Sequence, residues 1–455
     1  MIKFKKSYFF WTIFFLLTLI LHSNHALDSD EGVILEGAWN IINGRQIYSD
    51  FFALVTPASY YLLAGLWQLV GISYWSANTL AILALFFSAV GIYRISRLVG
   101  GRGFYWPAIF FILSSWIWPL ISYYIFSLLT LVWALYYFCR ALESGSRRQI
   151  LWSGLLSSLT FWFLQTKGLA LIFSLASYLF FLFLFKKQNI YIRQLAYYLV
   201  FSLVPLAGLF IFGSMPILYQ YLFIFPVFNY HGVINNSLYL WGSFMLLWLA
   251  SVIFLVRRNQ SEKIFLLLYL QLILLLLALS LPDWFHIFLA LVPFYVLWPL
   301  AMEKILAFRR LFKWLGLGAL FVLAGLLAWP SLERAWPKSF RLLAGHQLLA
   351  QIARNCQQGQ YLYAGAFIPG VYFESRKLNA TPYSWLITNH HTEEQFQSAR
   401  DALAAKPPEC AVLSPLFVGK YGYNHDNAVD NYIRQHYKVI WSDENFRLFK
   451  LNSEL

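Results

Sequence analysis

Three carboxylates stand close together in the segment LDSDEG, directly after the first apolar segment of the chain. They belong to Asp28, Asp30 and Glu31. A carboxylate where a membrane span meets water is costly unless it is fully solvated or functional. The sequence that follows, AWNIINGRQIYSDFF and then TP, is too ordered for a random solvated loop. We therefore take Asp30 and Glu31 as the candidate catalytic acids, with Asp28 as the alternative.

Other polar side chains occur in breaks between apolar segments that we assign to the same membrane face. In chain order they are Arg45, Tyr48, Asp50, Lys167, His231, Asp283 and His286. Asp283 and His286 are spaced i, i+3 and would share one face at the start of a helix. Acids, two cations and two histidines are thus expected on one side of the membrane. This arrangement suits a substrate with a charged head at the interface and a tail in lipid.

All of these residues except Tyr48 also have a structural alternative. Lys167 could lie at the end of a span and extend its ammonium towards water without any functional role. Arg45 could form a surface ion pair with Glu36 or Asp50. Asp50 could cap a helix or hold the loop. His286 with Asp283 could close a helix turn, and NYHG, which contains His231, could be a simple turn.

The chemistry that fits these residue types is sugar transfer from a polyprenyl-phosphate donor. A carboxylate such as Asp30 would accept the proton of an attacking hydroxyl. Cations such as Lys167 and Arg45 would stabilise the departing phosphate. A divalent metal held by carboxylates and histidines could assist, but the sequence does not establish one. The acceptor would be a hydroxyl of a lipid, a polysaccharide or a protein.

Composition places these residues in a membrane protein. Of the 455 residues, 60% are hydrophobic and only 12% are charged, against about a quarter charged in soluble domains. Apolar runs near the ~20 residues that a spanning helix needs recur from Tyr8 to Pro330. The fold class is therefore polytopic α-helical, with about eleven transmembrane helices. The predicted spans are 7–22, 76–96, 104–121, 123–140, 150–164, 168–185, 195–213, 238–256, 264–281, 285–302 and 314–330.

The net charge of +14 follows the membrane topology rather than a nucleic-acid partner. Lysines and arginines cluster in alternate breaks, and the other breaks hold only Arg45 and Lys167. By the positive-inside rule the N-terminus is cytoplasmic, and the tail is periplasmic or extracellular. This orientation holds only if the apolar stretch 57–70 lies on the outer face as an interfacial amphipathic helix. The alternative is that 57–70 is a short span and another segment is not.

The tail after residue 330 changes character, with mixed charge and shorter apolar runs. We predict helices at LLAQIARNC, TEEQFQSARDALAA and NAVDNYIRQHY, and strands at YLYAGA, CAVLS, KVIW and FRLFK. The predicted organisation is a membrane domain at 1–330, with an external loop at 23–75, and a small external α/β domain at 331–455. Cys356 and Cys410 both fall in this domain, where they either pair in a disulfide or remain free thiols.

The first external segment resembles that of GT-C superfamily glycosyltransferases. The similar branches are the protein O-mannosyltransferase and aminoarabinose-transferase-like families, including the RgtA/B/C/D-like group. The matching positions are Asp30, Glu31, Gly44, Tyr48, Asp50, Phe51 and Pro57. Two shorter stretches are also similar, the Lys-Gly element at 165–168 and the late Asp-x-x-His at 283–286. Many relatives have an arginine before that late aspartate, where this chain has Ser280, Leu281 and Pro282.

The resemblance implies a catalytic aspartate after the first span and an inverting glycosyltransferase with a polyprenyl-phosphate sugar donor. Two other classes remain open from the sequence. A transporter or flippase would be expected to carry charges or helix breaks near span centres, which these spans largely lack. A polysaccharide ligase or polymerase would be expected to use paired external arginines, which are scarce here.

Overall fold

The computed structural model describes residues 6–22, 29–100, 105–115, 121–229, 238–256, 261–280, 284–306, 343–416 and 418–452. The chain divides into two compact units. The helical unit comprises Met1–Asn24, Asn78–Ala207 and Ile234–Trp336. The mixed unit comprises His25–Ala77, Gly208–Val233 and Pro337–Leu455. The candidate catalytic segment therefore folds with the tail, while the predicted boundary at residue 330 lies outside the described residues.

Helices dominate the first 306 residues. They are α1 Lys6–Leu21, α2 Ser29–Ile42, α3 Ala58–Val70, α4 Tyr74–Leu98, α5 Trp106–Ser114, α6 Tyr123–Ser144, α7 Arg147–Phe163, α8 Gln165–Lys186, α9 Asn189–Leu203, α10 Met215–Tyr219, α11 Leu238–Val256, α12 Glu262–Ala278, α13 Trp284–Ala290 and α14 Val292–Leu306. A 3₁₀ stretch, Val204–Ile211, continues α9, and a π-helical stretch, Gln220–Asn229, continues α10.

Ten of the eleven predicted spans overlap these helices, and the eleventh, 314–330, lies outside the described residues. In the described part of the chain, four helices are long and apolar enough to cross a membrane. They are Tyr74–Leu98, Tyr123–Ser144, Gln165–Lys186 and Asn189–Ile211. Large apolar side chains such as Phe173 and Phe185 on α8 are exposed, as expected for a helix that faces lipid.

The apolar stretch 57–70 forms a helix, as the sequence predicts. Pro57 occupies the position before α3, where its missing N–H costs nothing. One face of α3 is buried through Tyr60, Leu63 and Trp67, whereas Leu69 is 85% exposed. The helix therefore carries apolar side chains on both sides, and its place at the membrane interface stays a prediction.

The tail contains a five-stranded sheet. Its elements are α15 Leu343–Asn355, β1 Tyr361–Gly365, α16 Gly370–Ser375, β2 Leu378–Asn379, α17 Glu393–Ala405, β3 Cys410–Leu413, α18 Ala428–His436, β4 Tyr437–Ser442 and β5 Arg447–Leu451, with a short 3₁₀ turn at Gly419–Tyr421. The strand order is β2-β1-β3-β5-β4, with β1 parallel to both β2 and β3. All seven segments predicted as helix or strand form those elements, whereas β2 and α16 were not predicted.

Alternation along the strands places a core on each face of the sheet. Leu362 and Ala364 point to one face, together with side chains of α15 and α16. Tyr363 points to the other face, together with side chains of α17 and α18. Cys356 and Cys410 form a disulfide with 5.9 Å between their Cα atoms, and Cys139 in α6 is a buried free thiol.

Candidate functional site

Asp30 and Glu31 lie in the first turn of α2 rather than in an open loop. The free N–H groups and positive dipole at a helix start stabilise carboxylates there. Asp30 is half-buried, whereas Glu31 is buried. The Tyr74 hydroxyl donates a hydrogen bond of 3.1 Å to Oε2 of Glu31. Glu31 is thus fixed in place, while part of Asp30 remains accessible.

Two glycines allow α2 to pack against its neighbours at very short range. A Cβ on Gly32 would lie 2.3 Å from the backbone nitrogen of Gly370, so the backbones of α2 and α16 touch here. A Cβ on Gly37 would lie 2.2 Å from the ring of Tyr60 on α3. Each glycine follows a glutamate, Glu31 or Glu36. The close packing therefore fixes the position of both carboxylates.

Glu36, which was not predicted as a site residue, is the more deeply buried of these two glutamates. Only 1% of its surface is exposed, and its Oε1 accepts a hydrogen bond of 3.1 Å from the amide of Asn379. Burial raises the pKa of Glu36 to about 7, although hydrogen bonds from Ser384 and Asn379 and the charge of Arg45 act against this rise. The signal that could have revealed Glu36 is the repeated Glu-Gly pair.

The loop after α2 is held by its own polar side chains. The guanidinium of Arg45 donates to Oδ1 of Asn40 at 3.2 Å and to the backbone oxygens of Asn379 at 3.1 Å and Asp50 at 3.0 Å. The backbone N–H of Gln46 donates to Oδ2 of Asp50 at 2.7 Å. These contacts match the structural alternative for Asp50, namely holding the loop, and the proposed phosphate contact of Arg45 stays a prediction.

Tyr48 contributes to the same loop through an unusual backbone conformation. Its φ of 66° lies in the left-handed region, which non-glycine residues rarely adopt. The buried hydroxyl donates to the carbonyl of Val55 at 2.8 Å. In the structure Tyr48 therefore fixes the chain between α2 and α3.

A second group of predicted residues lies in the helical unit. Lys167 is in the first turn of α8, is 4% exposed, and its Nζ has no hydrogen-bond partner among the described residues. It lies 5.8 Å from the ring centroid of Tyr124 on α6. The Tyr124 hydroxyl is in turn 3.0 Å from Nε2 of His286 on α13. Three helices thus bring an ammonium, a phenol and an imidazole together.

Gly168 explains how Lys167 reaches this position. Only Leu164 separates α7 from α8, and a Cβ on Gly168 would lie 2.3 Å from the backbone nitrogen of Phe161. The glycine lets the start of α8 pack directly on the end of α7, which draws the lysine beside it into the interior. Tyr124, which is one of 29 tyrosines in the chain, was not predicted from the sequence.

The remaining candidates Asp28, His231 and Asp283 lie outside the described residues. Within the described ranges, no three His, Cys, Asp or Glu side chains are grouped in a way that could hold a metal ion. The described candidates therefore form two groups. Asp30, Glu31, Arg45, Tyr48 and Asp50 belong to the mixed unit, and Lys167 and His286 belong to the helical unit.

Similarity to known proteins is found in structure rather than in sequence. No protein-family sequence model matches the chain, and no curated protein sequence matches it significantly. The structure of ArnT from Cupriavidus metallidurans bound to undecaprenyl phosphate aligns with a TM-score of 0.61 and 11% identity, over 97% of this chain and 98% of that one. The same protein in its apo state aligns over the same shares with a TM-score of 0.62 and 12% identity.

The Archaeoglobus fulgidus oligosaccharyltransferase in its apo form aligns with a TM-score of 0.56 and 12% identity, over 97% of this chain and 74% of that one. ArnT, an aminoarabinose transferase, and this oligosaccharyltransferase are both GT-C glycosyltransferases. The chain has the GT-C fold. At 11–12% identity the likeness shows the fold alone. At the level of the fold, it confirms the resemblance that the first external segment indicated.

Proposed function

We propose that this protein is an integral-membrane, inverting glycosyltransferase. It would move a sugar from a polyprenyl-phosphate donor to an acceptor hydroxyl on the outer face of the membrane. The observation that carries the proposal is the alignment of 97% of the chain with a GT-C enzyme structure that binds undecaprenyl phosphate. The acceptor class, whether lipid, polysaccharide or protein, is left open.

In this mechanism Asp30 is the general base. Its carboxylate accepts the proton of the acceptor hydroxyl while the hydroxyl oxygen forms a bond to the anomeric carbon. The bond from that carbon to the phosphate oxygen breaks, and its electron pair leaves with the polyprenyl phosphate. A single displacement inverts the anomeric configuration. Partial exposure of Asp30 supports this role, and the buried Glu31, which is bonded to Tyr74, is better placed to position α2.

Lys167 is the proposed contact for the departing phosphate. A buried ammonium without a hydrogen-bond acceptor is costly, and a phosphate oxygen would supply the missing acceptor. The charge would also stabilise the negative charge that develops on the leaving group. Arg45 already donates to three protein oxygens, so we assign it to holding the loop after α2. The role of His286 in this proposal is to orient Tyr124 beside Lys167.

The test is a transfer assay with purified full-length protein and a panel of radiolabelled polyprenyl-phosphate sugars, with and without chelator. We expect one donor to release polyprenyl phosphate, Asp30→Asn to slow release about a hundredfold or more, and Lys167→Met to slow it about a hundredfold. The matched controls are Asp401→Asn and Lys187→Met, because both side chains are exposed. Transfer at the normal rate by Asp30→Asn would contradict the assigned base. Donor movement across vesicles without any cleavage would instead indicate a flippase.

A further inference from the structure

The tail of the mixed unit contains a pocket of about 700 Å³ that the proposed reaction does not use. Ala366, which directly follows β1, and Ser414 and Pro415, which directly follow β3, line it. The pocket therefore opens at the carboxyl ends of two neighbouring parallel strands. Its volume falls within the range of about 300–1,000 Å³ that is usual for small-molecule sites.

The topology of the sheet explains why a pocket forms at this place. The chain runs from β1 to β2 on one side and then crosses to β3 on the other side of β1. The connecting helices cover opposite faces, because α16 packs with Leu362 and α17 packs with Tyr363. The strand order thus reverses between β1 and β3. In open α/β sheets, ligands bind in the crevice outside the strand ends at such a reversal.

A buried carboxylate forms one wall of the pocket. Asp430 is 2% exposed, and its Oδ1 accepts a hydrogen bond of 3.1 Å from the hydroxyl of Tyr423. Its Oδ2 lies 3.1 Å from Nδ1 of His425, whose side chain is 56% exposed. The backbone N–H of Asp430 donates to the helix-capping Asn427 at 2.9 Å. Burial raises the pKa of Asp430, against the opposing effect of His425 and Tyr423.

The rest of the lining carries charges of both signs. Arg434 and Arg447 provide guanidinium groups, while Asp443 and Glu444 provide carboxylates. Asp443 is committed to the turn between β4 and β5, since its Oδ1 accepts the backbone N–H groups of Asn445 at 2.8 Å and Phe446 at 2.7 Å. In the described part of the chain, the guanidinium of Arg447 makes no hydrogen bond or ion pair. A guanidinium without a partner in the described residues therefore lies beside carboxylates that the protein itself holds in place.

This balance of charges determines which ligand the pocket would take. A phosphate or nucleotide would meet three carboxylates, of Asp430, Asp443 and Glu444, against two guanidinium groups. A sugar hydroxyl both donates and accepts hydrogen bonds, so a polyhydroxyl ligand can satisfy carboxylate and guanidinium together. The rings of Tyr423 and Phe446 add the apolar surface that small-molecule sites usually contain. The volume suits one or two sugar rings.

We propose that this β1/β3 pocket binds an uncharged mono- or disaccharide through Asp430, Arg447 and the ring of Tyr423. The inference goes beyond the proposed transferase activity and stands whether or not the chain transfers a sugar. If the protein both binds a sugar here and transfers one, a glycan acceptor would bind to the tail through this pocket as well as reacting at the carboxylate of Asp30.

The test uses full-length protein in a detergent that has no sugar headgroup, because an alkyl glycoside would compete for the pocket. Ligand-observed saturation-transfer NMR would screen D-glucose, D-galactose, D-mannose, N-acetylglucosamine and their common disaccharides, with inorganic phosphate as the anionic probe. We expect at least one neutral sugar to bind with a Kd of about 1 mM or below. Arg447→Ala should weaken the binding of that sugar about tenfold.

Asp430→Asn should weaken binding of the same sugar about tenfold or more. The thermal unfolding of this variant would also be measured, because Asp430 supports the start of α18. Arg447→Ala removes a side chain that makes no hydrogen bonds in the described residues. It therefore keeps the test valid if Asp430→Asn misfolds. Asp401→Asn, exposed on α17, should bind like the parent protein. Binding of phosphate alone, of no sugar at all, or of a sugar unaffected by Arg447→Ala would overturn the proposal.

Discussion

The amide of Asn379 donates a hydrogen bond of 3.1 Å to the carboxylate of Glu36, although 343 positions separate the two residues. This contact ties α2, which carries the candidate catalytic acids, to β2 of the tail. Glu36 is fully buried and has a pKa raised from 4.5 to about 7. We therefore expect Glu36 to titrate near neutral pH, on the same helix that carries Asp30 and Glu31.

We predict that Glu36→Gln makes stability less dependent on pH. A carboxyl group whose folded pKa is raised contributes stability below its unfolded pKa of 4.5, and this contribution is lost as pH rises to about 7. The loss amounts to about 3 kcal/mol at most. Raising the pH from 5 to 8 should thus lower the Tm of the parent protein more than the Tm of Glu36→Gln, as measured by thermal unfolding. Parallel profiles for the two proteins would show that Glu36 does not titrate in this range.

A second prediction concerns the packing of α2 on α16. Gly32→Ala places a Cβ 2.3 Å from a backbone nitrogen, which must shift, and overpacking of this kind costs about 1–3 kcal/mol. Gly65→Ala in α3 is the matched control, because no atom lies within 4 Å of its Cβ, and alanine favours a helix by up to about 1 kcal/mol. We expect a lower Tm only for Gly32→Ala. Equal Tm values would mean that the backbones of α2 and α16 do not touch.

Tyr74→Phe should reduce turnover without unfolding the protein. The change removes the hydrogen bond to Glu31 and leaves the ring in place, so Glu31 becomes less well held. Under the proposed mechanism kcat should fall about tenfold while KM for the donor stays nearly constant. Tyr61→Phe, on the partly exposed face of α3, serves as the control. A change confined to KM would assign Tyr74 to donor binding instead.

The thiol count should reveal the disulfide of the tail. The chain has three cysteines, of which Cys356 and Cys410 are joined and Cys139 is free and buried. Protein denatured without reductant should bind one equivalent of maleimide, and protein denatured with reductant should bind three. Replacing both Cys356 and Cys410 by alanine should lower the free energy of unfolding by about 2–4 kcal/mol. Three reactive thiols before reduction would rule out the pairing.

The predicted orientation can be tested by cysteine labelling of intact cells. With Cys139→Ala as background, Gln46→Cys in the loop after α2 should react with a membrane-impermeant maleimide. Ser144→Cys, at the exposed end of α6, should react only after the membrane is permeabilised. The reverse pattern would place Asp30 on the cytoplasmic side and remove the basis for a lipid-linked donor.

Local patterns predicted the tail well, because strands such as β1 and β3 are buried on both faces and read as short continuous apolar runs between turn signals. The same logic failed for α2. Its start, SDEG, contains residues that favour turns, and its position depends on Gly370 and Tyr60, which are distant in sequence. Spacing along the chain carries no information about such contacts.

The group around Lys167 shows the same limit in the helical unit. The lysine stood out because it interrupts an apolar run, and His286 because it follows Asp283 at helical spacing. Tyr124 lies between them in space but has no distinguishing feature among 29 tyrosines. Polar residues that interrupt an apolar sequence, such as Lys167, could be found from the sequence. Tyr124, which contacts both Lys167 and His286, could be identified only from the packing of α6, α8 and α13.

The composition of the mixed unit has a consequence for biosynthesis. Residues 25–77 leave the ribosome about 260 codons before the tail that completes their unit, a delay of roughly 15–50 s at usual elongation rates. During that interval the first segment has neither Gly370 nor Asn379 to pack against. A premature stop before codon 370 would consequently leave the amino-terminal acids without these packing partners, even though every one of them had already been synthesised.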